Sequence, residues 1–224
     1  APDDDPSMEF IQALVNGLLI GGVYAVISIG LTLVFGVMSI INFAHAEFLM
    51  LGMFIAFFCW HYLGLDPLIG SLVAFVVVFG IGMLVQRSLI ERVMKAPDVA
   101  QIFLTVGLLI VMENAALLAF GSDFRSVRVP YQTSAIQFGG LIIGVPYLLA
   151  FAVSLVAGVL LWAFMRFTWL GQAMRATSQD AAAALSLGMD VRRIRQIAFG
   201  LGVAMTALGG AVIHDGPLPV ADLP

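Results

Sequence analysis

From Phe10 to Ala46 no Asp, Glu, Lys or Arg interrupts the chain, and after Glu47 the apolar run resumes from Phe48 to Leu65. A membrane-crossing helix needs roughly 20 predominantly apolar residues. This region therefore predicts two helices, about 10–36 and 46–63, with Gly36 to Asn42 as the turn between them. Pro67–Gln86 predicts a third span, and Val99–Phe120 a fourth with Glu113 inside it. Gly140–Met165 predicts a fifth, and Ile194–Ile213 a sixth, weaker and rich in glycine. Hydrocarbon offers backbone polar groups no partner, so only helices and closed barrels span it. The period-2 alternation of barrel strands is missing. The pattern predicts an all-α, polytopic integral membrane helical bundle of about six transmembrane helices, occupying residues 9–213 as one domain.

Composition adds that 61% of the residues are hydrophobic and only 11% charged, too little polar surface for a soluble domain. The mean hydropathy is +1.05. The few cations carry direction. Arg87, Arg92 and Lys95 lie between spans three and four; Arg166, Arg175, Arg192, Arg193 and Arg195 lie between or beside spans five and six. These two loops share a side and hold eight of the ten Lys and Arg, so the positive-inside rule puts them in the cytoplasm. The N-terminus is then outside, with Arg125 and Arg128 on the same outer side. The net charge of −4 adds little, since Asp3, Asp4 and Asp5 account for much of it. Cys59 is the single cysteine, so no internal disulfide forms. No basic cluster with interleaved aromatics suggests nucleic acid. Residues 1–8 read as a disordered acidic tail without the basic start of a signal peptide, Met8 being a candidate natural start.

Small residues recur every four positions in two spans. Ala13, Gly17, Gly21 and Ala25 do so in the first; Ala198, Gly202, Thr206 and Gly210 do so in the sixth. Such ridges let another helix backbone approach closely. They predict packing inside the bundle or, for one of them, a face toward a second subunit or gate. Asn16, beside the first ridge, is expected to make an interhelical hydrogen bond.

Candidate chemistry is sparse. Asn42, His45 and Glu47 stand together in otherwise apolar surroundings, and ionisable groups at membrane depth usually face protein interior or a watery cavity. If that stretch is helical, Asn42 and His45 share a face; the alternative is a wet, structural place at the cytoplasmic interface. Glu113 with Asn114 suits a transport path or proton relay, or else a position near the outer interface. A metal site is not expected, because His-Ala-Glu lacks the His-Glu-x-x-His spacing. Between spans five and six, Asp180 is a good N-cap, four alanines follow, and Gly188 is a natural stop. A short helix of about two turns is predicted there, too short and polar to cross. There is no Gly-x-x-x-x-Gly-Lys, and Lys95 is the only lysine, so the chain does not itself cradle ATP. No Gly-x-Ser-x-Gly elbow or Cys/His dyad stands out.

Several motifs in order carry a resemblance. They are Gly17-x-x-x-Gly21-Gly22-x-Tyr24-Ala25, then Gly30-Leu31-Thr32-Leu33-x-Phe35-Gly36, then Asn42-Phe43-Ala44-His45. Gly107-Leu108 with Asn114 follows, and then Thr168-x-x-Gly171-x-Ala173-x-Arg175-Ala176-x-x-Gln179-Asp180-x-x-Ala183-Ala184-x-x-Leu187-Gly188. From about residue 8 to 213 the chain resembles the LivH-like permease subunits of bacterial branched-chain amino acid ABC importers. The resemblance implies a multi-pass protein of the bacterial inner membrane that pairs with a related permease. Two cytoplasmic ATPases would bind it, a periplasmic binding protein would deliver substrate, and no cofactor would be held. Asn42, His45, Glu47 and Glu113 would lie near the translocation route. Arg175, Gln179, Asp180, Leu187 and Gly188 would form the coupling helix seated in the ATPase groove. Ala46 stands where the family usually has glycine.

The family continues for about two further spans, whereas here a polar segment with three prolines follows Ile213. Residues 214–224 therefore read as an irregular tail and the chain as C-terminally truncated, a form that would not necessarily transport. A urea or short-amide permease, a non-transporting remnant and, more distantly, an intramembrane enzyme using His45, Glu47 or Glu113 are the alternatives.

Overall fold

The computed structural model describes residues 6–121, 134–138 and 140–213. Among them six helices are long and apolar enough to cross a membrane. The first, α1 (Pro6–Met38), is followed by α2 (His45–Leu63) and α3 (Pro67–Val85). A π-helical turn (Gln86–Ile90) and the short α4 (Glu91–Val93) extend α3 as one rod. Then come α5 (Asp98–Phe120), α6 (Val145–Phe167), α7 (Trp169–Gln179), α8 (Ala181–Ser186) and α9 (Val191–Ile213). Helix α1 thus begins within the stretch read as an N-terminal tail, and residues 1–5 and 214–224 lie outside the described residues.

The connection between α2 and α3 is short for readable reasons. Gly64 takes the left-handed conformation (φ 62°) that ends α2, and the Asp66 carboxylate accepts the Leu68 N–H at 2.9 Å with Pro67 opening α3.

Helix α9 is the centre of the bundle. It is 78% buried, whereas a third or less of every other span is. It packs against α3, α1 and α2, with α2 also on α3 and α6 on α1. Glycines on α9 and on its neighbours permit this. A Cβ on Gly202 would meet the Gly30 carbonyl oxygen at 2.6 Å, and one on Gly52 would meet the backbone of Ala207. Phe48 and Phe199 close the core edge-to-face at 6.0 Å. Of the two small-residue ridges, Ala198, Gly202, Thr206 and Gly210 are all buried on α9. Ala13, Gly17, Gly21 and Ala25 are all exposed on α1, and Cβ atoms on Gly17 and Gly21 would meet nothing.

The fifth predicted span begins too early. Ala135–Phe138 and Leu141–Gly144 form an antiparallel hairpin, β1 and β2, with Phe138 opposite Leu141, and α6 starts only at Val145. The Gly-Gly pair between two apolar runs is a hairpin signal that the span pattern masked. Gln12 on α1 docks this hairpin. Its side chain donates to the Ile142 carbonyl at 2.6 Å and accepts the Ile142 N–H at 2.8 Å, completing β2 as a neighbouring strand would. Asn16 is corrected accordingly. It accepts from Gln12 at 3.2 Å within α1, because residues four apart on a helix are neighbours.

The cation-bearing loops meet at one end of the bundle. Arg192 pairs with Glu91 at 3.3 Å, and the Glu91 carboxylate also accepts from buried Gln86 at 2.9 Å. This ties the start of α9 to the π-helical turn.

Candidate functional site

The turn expected from Gly36 to Asn42 is shorter and deeper than the pattern suggests. α1 continues to Met38, where Ser39 adopts a positive φ of 55° and its N–H closes on the Phe35 carbonyl at 2.7 Å. The segment that follows is non-helical up to Ala44, so Asn42 and His45 do not share a helical face. Burial alternates along it: Ile40, Asn42 and Ala44 point inward, while Ile41 and Phe43 are exposed. The Thr105 hydroxyl on α5 lies 3.3 Å from the Ile41 carbonyl and 3.1 Å from the Ile102 carbonyl of its own helix, and its one proton is shared between them. Irregular backbone at membrane depth is tolerated only where protein buries it or it lines a cavity.

His45 opens α2 with its side chain buried in the bundle. Its Nε2 lies 2.6 Å from the Thr206 hydroxyl of α9 and 3.3 Å from the Ile27 carbonyl of α1. Thr206 in turn donates to the Gly202 carbonyl at 3.2 Å. With that hydroxyl proton committed, the fitting tautomer carries its proton on Nε2 and donates to Thr206 and Ile27. His45 Nδ1 and Asn42 Nδ2 are buried without partners. Ile27 sits about three turns (~16 Å) before the end of α1. Six extended residues reach about 20 Å, enough for residues 39–44 to run back along α1 from that end to the level of Ile27, whose carbonyl His45 meets. Asn42 holds the turn by accepting the Ala44 N–H at 3.2 Å.

Glu47 faces the other way. It is half-buried and lies within electrostatic range of Glu113 on α5, which is exposed on the surface of the chain. Positions two apart on a helix do not face each other, so the imidazole and the two carboxylates do not converge. The exposed Asn114 beside Glu113 donates back to the Ile110 carbonyl at 2.8 Å. Helix α5 leans on α2 through Phe54, Phe58 and Phe120, with ring centroids 4.5 Å and 5.1 Å apart. Most of its length faces outward. Among the described residues, no three His, Cys, Asp or Glu side chains gather as a metal site.

At the cationic end, α7 and α8 lie between the spans. Asp180 caps α8 as its side chain suggests, accepting the N–H groups of Ala182 and Ala183 at 2.9 Å each. Gly188 follows in the left-handed region (φ 80°). Gln179, Asp180 and Gly188 are exposed, and Leu185 and Leu187 are 64% and 78% exposed, so α8 offers apolar side chains outward. Arg175, one helix earlier, donates to the Met165 carbonyl at the end of α6.

Comparison with known proteins fits this architecture. Residues 13–215 match the family model described as branched-chain amino acid transport system / permease component. The chain belongs to that family. It is 28% identical over 216 residues to the high-affinity branched-chain amino acid transport system permease protein BraD of Pseudomonas aeruginosa. It is likewise 28% identical to the LivH permease proteins of Escherichia coli, over 222 residues, and Salmonella typhimurium, over 219. Each alignment covers 91% of this chain and 70% of the relative. No solved structure matches it significantly.

This permease therefore has the multi-pass helical form expected of a transport protein, in a family of permeases and not of enzymes. Sequence reasoning missed Thr206 as a partner for His45, having counted it only as a small residue in a ridge. It also missed α7, whose polar residues hide a buried face of Gly171, Ala173, Met174 and Thr177. The Gln86–Glu91–Arg192 chain had no local signal, because a π-helical turn separates the first two and everything from α5 to α8 lies before the third.

Proposed function

We propose that this chain is a transmembrane subunit of an ATP-driven importer for branched-chain amino acids. It works beside a second permease, above two cytoplasmic ATPases, and receives substrate from a periplasmic binding protein in the inner membrane. The N-terminus is outside, which puts α7, α8 and the cationic loops in the cytoplasm. The observation that carries the reading is α8: a short, firmly capped helix that turns Leu185 and Leu187 outward at the cationic end. It supplies the apolar knob that a nucleotide-driven partner can grip, with Arg175, Gln179, Asp180, Leu187 and Gly188 as the contact set. Closure of the ATPases moves α8, and the α9 helix that follows it carries that motion into the centre of the bundle. Alternating access results from switching between two packings. The route passes the irregular 39–44 segment, with Asn42, His45, Glu47 and Glu113 along it. The substrate assignment follows the relatives, which are named for branched-chain amino acids.

Co-purification with the ATPase subunits of its own transport system, in mild detergent, tests the reading. The native chain retains them, and the Arg175→Glu/Asp180→Arg double variant does not. A folded, membrane-inserted native chain that retains none overturns the coupling assignment.

A further inference from the structure

Helices α1 and α6 touch over only part of their facing sides and leave a furrow along the outside of the bundle. Two hollows, of 280 Å³ and 460 Å³, make it up, and both are walled by Ile29, Gly158 and Trp162. The first extends toward Gly22 and the second toward Val37 of α1. That stretch of helix is about 22 Å long, whereas the hydrocarbon of one leaflet is about 15 Å deep, half of a core of roughly 30 Å. The furrow thus accepts an extended acyl chain and continues into the headgroup zone.

Its charge sits at one end only. Apart from the buried Ser154 hydroxyl, the walls are apolar until Thr32, Arg175 and Ser178 appear at the mouth nearest α7, and no carboxylate lines either hollow. Arg175 is exposed beside the Met165 carbonyl at the end of α6, and its five-donor fork keeps donors for an anion even with that oxygen as a partner. Trp162, Phe167 and Trp169 stand exposed around this end, as aromatic side chains do at the boundary between hydrocarbon and headgroups. Glycines keep the furrow open. A Cβ on Gly36 would meet nothing within 4 Å, and one on Gly158 only Ile29 Cδ1 at 3.9 Å. The glycines of α9 are different, because neighbouring backbone fills the space beside them.

We propose that this furrow is a binding site for one anionic phospholipid, with an acyl chain between α1 and α6 and the phosphate at Arg175. Basic pockets between membrane helices recognise such headgroups, and here the bilayer supplies the ligand directly. A protein helix is the competing occupant, but it would not call for a single cation at headgroup height on an otherwise uncharged wall.

Native mass spectrometry of the purified chain tests the site. Micelles are doped with phosphatidylglycerol or with phosphatidylcholine carrying the same acyl chains. The native chain retains one lipid and prefers phosphatidylglycerol about fivefold, the factor expected of one basic residue near an anionic surface. Arg175→Gln keeps a lipid but loses the preference. Gly36→Leu and Gly158→Leu lose the lipid whatever its headgroup, while circular dichroism reports unchanged helix content, as leucine is the better helix former. Adducts that survive both leucine substitutions show annular lipid and overturn the site. A preference that survives Arg175→Gln overturns the headgroup assignment. A native chain that carries no lipid leaves the furrow to a protein helix and overturns the proposal.

Discussion

Replacing Thr206 by Val removes one hydroxyl from the centre of the bundle and almost nothing else. The hydroxyl sits 2.6 Å from His45 Nε2, and both side chains are buried. After the change, the imidazole keeps only the Ile27 carbonyl, at a longer 3.3 Å, and its Nδ1 already lacks a partner. A typical intramolecular hydrogen bond contributes about 1 kcal/mol, and orphaning a buried donor costs about 1–3 kcal/mol. Within membrane bundles the measured couplings are smaller, averaging about 0.6 and reaching about 1.7 kcal/mol. Ile27 still takes part of the donor, so the full orphan cost is not reached. The expected coupling between Thr206 and His45 is about 1 kcal/mol. It is measured by a double-mutant cycle, Thr206→Val against His45→Leu, from SDS-driven unfolding in mixed micelles followed by circular dichroism. Thr206→Ser should keep the coupling while losing about 0.8 kcal/mol with its methyl group. A coupling within about 0.3 kcal/mol of zero, the scatter of independent sites, would refute the claim that this bond ties α2 to α9.

Four further outcomes follow from the packing. Glu91→Ala should destabilise the chain more than Arg192→Ala, by thermal melting in detergent. The ion pair is largely exposed on the arginine side and contributes under about 1 kcal/mol, whereas losing Glu91 orphans buried Gln86. Gly202→Leu should disrupt folding, since it forces α9 from α1 at a cost of at least about 1–3 kcal/mol. Gly17→Leu, on the exposed ridge, should leave the melting temperature of the isolated chain unchanged. Asp180→Ala should raise hydrogen exchange at the Ala182 and Ala183 amides, for a cap loss of about 1 kcal/mol, without lowering global stability.

The spacing of charges settled much of this protein in advance. Six runs too apolar for water and too long for strands allow only membrane helices. Two cationic loops with a pair of spans between them must share an end, as the Arg192–Glu91 pair shows they do. Asp180 and Gly188 could be read as the limits of a short helix, because capping is local and needs no distant partner. What the pattern could not rank was the role of each span. The weakest by hydropathy, α9, is the most buried. A central helix needs no lipid-compatible surface, and its glycines are there to let α1 and α2 approach. Nor could spacing tell one small-residue ridge from the other, since Gly17 and Gly202 lie in equivalent patterns and differ only in what surrounds them.

The candidate site divides along the same line. Asn42, His45, Glu47 and Glu113 stand out in sequence because polar groups are costly in hydrocarbon wherever they lie. Which of them meet is decided by the packing of distant helices. His45 turns to Thr206 across 161 positions of chain, while Glu47 lies only within electrostatic range of Glu113. Hydropathy is a property of single residues and capping of a few neighbours, so the chain alone determines both. Contact between α2, α5 and α9 depends on the shapes of whole helices, and only the folded bundle decides it.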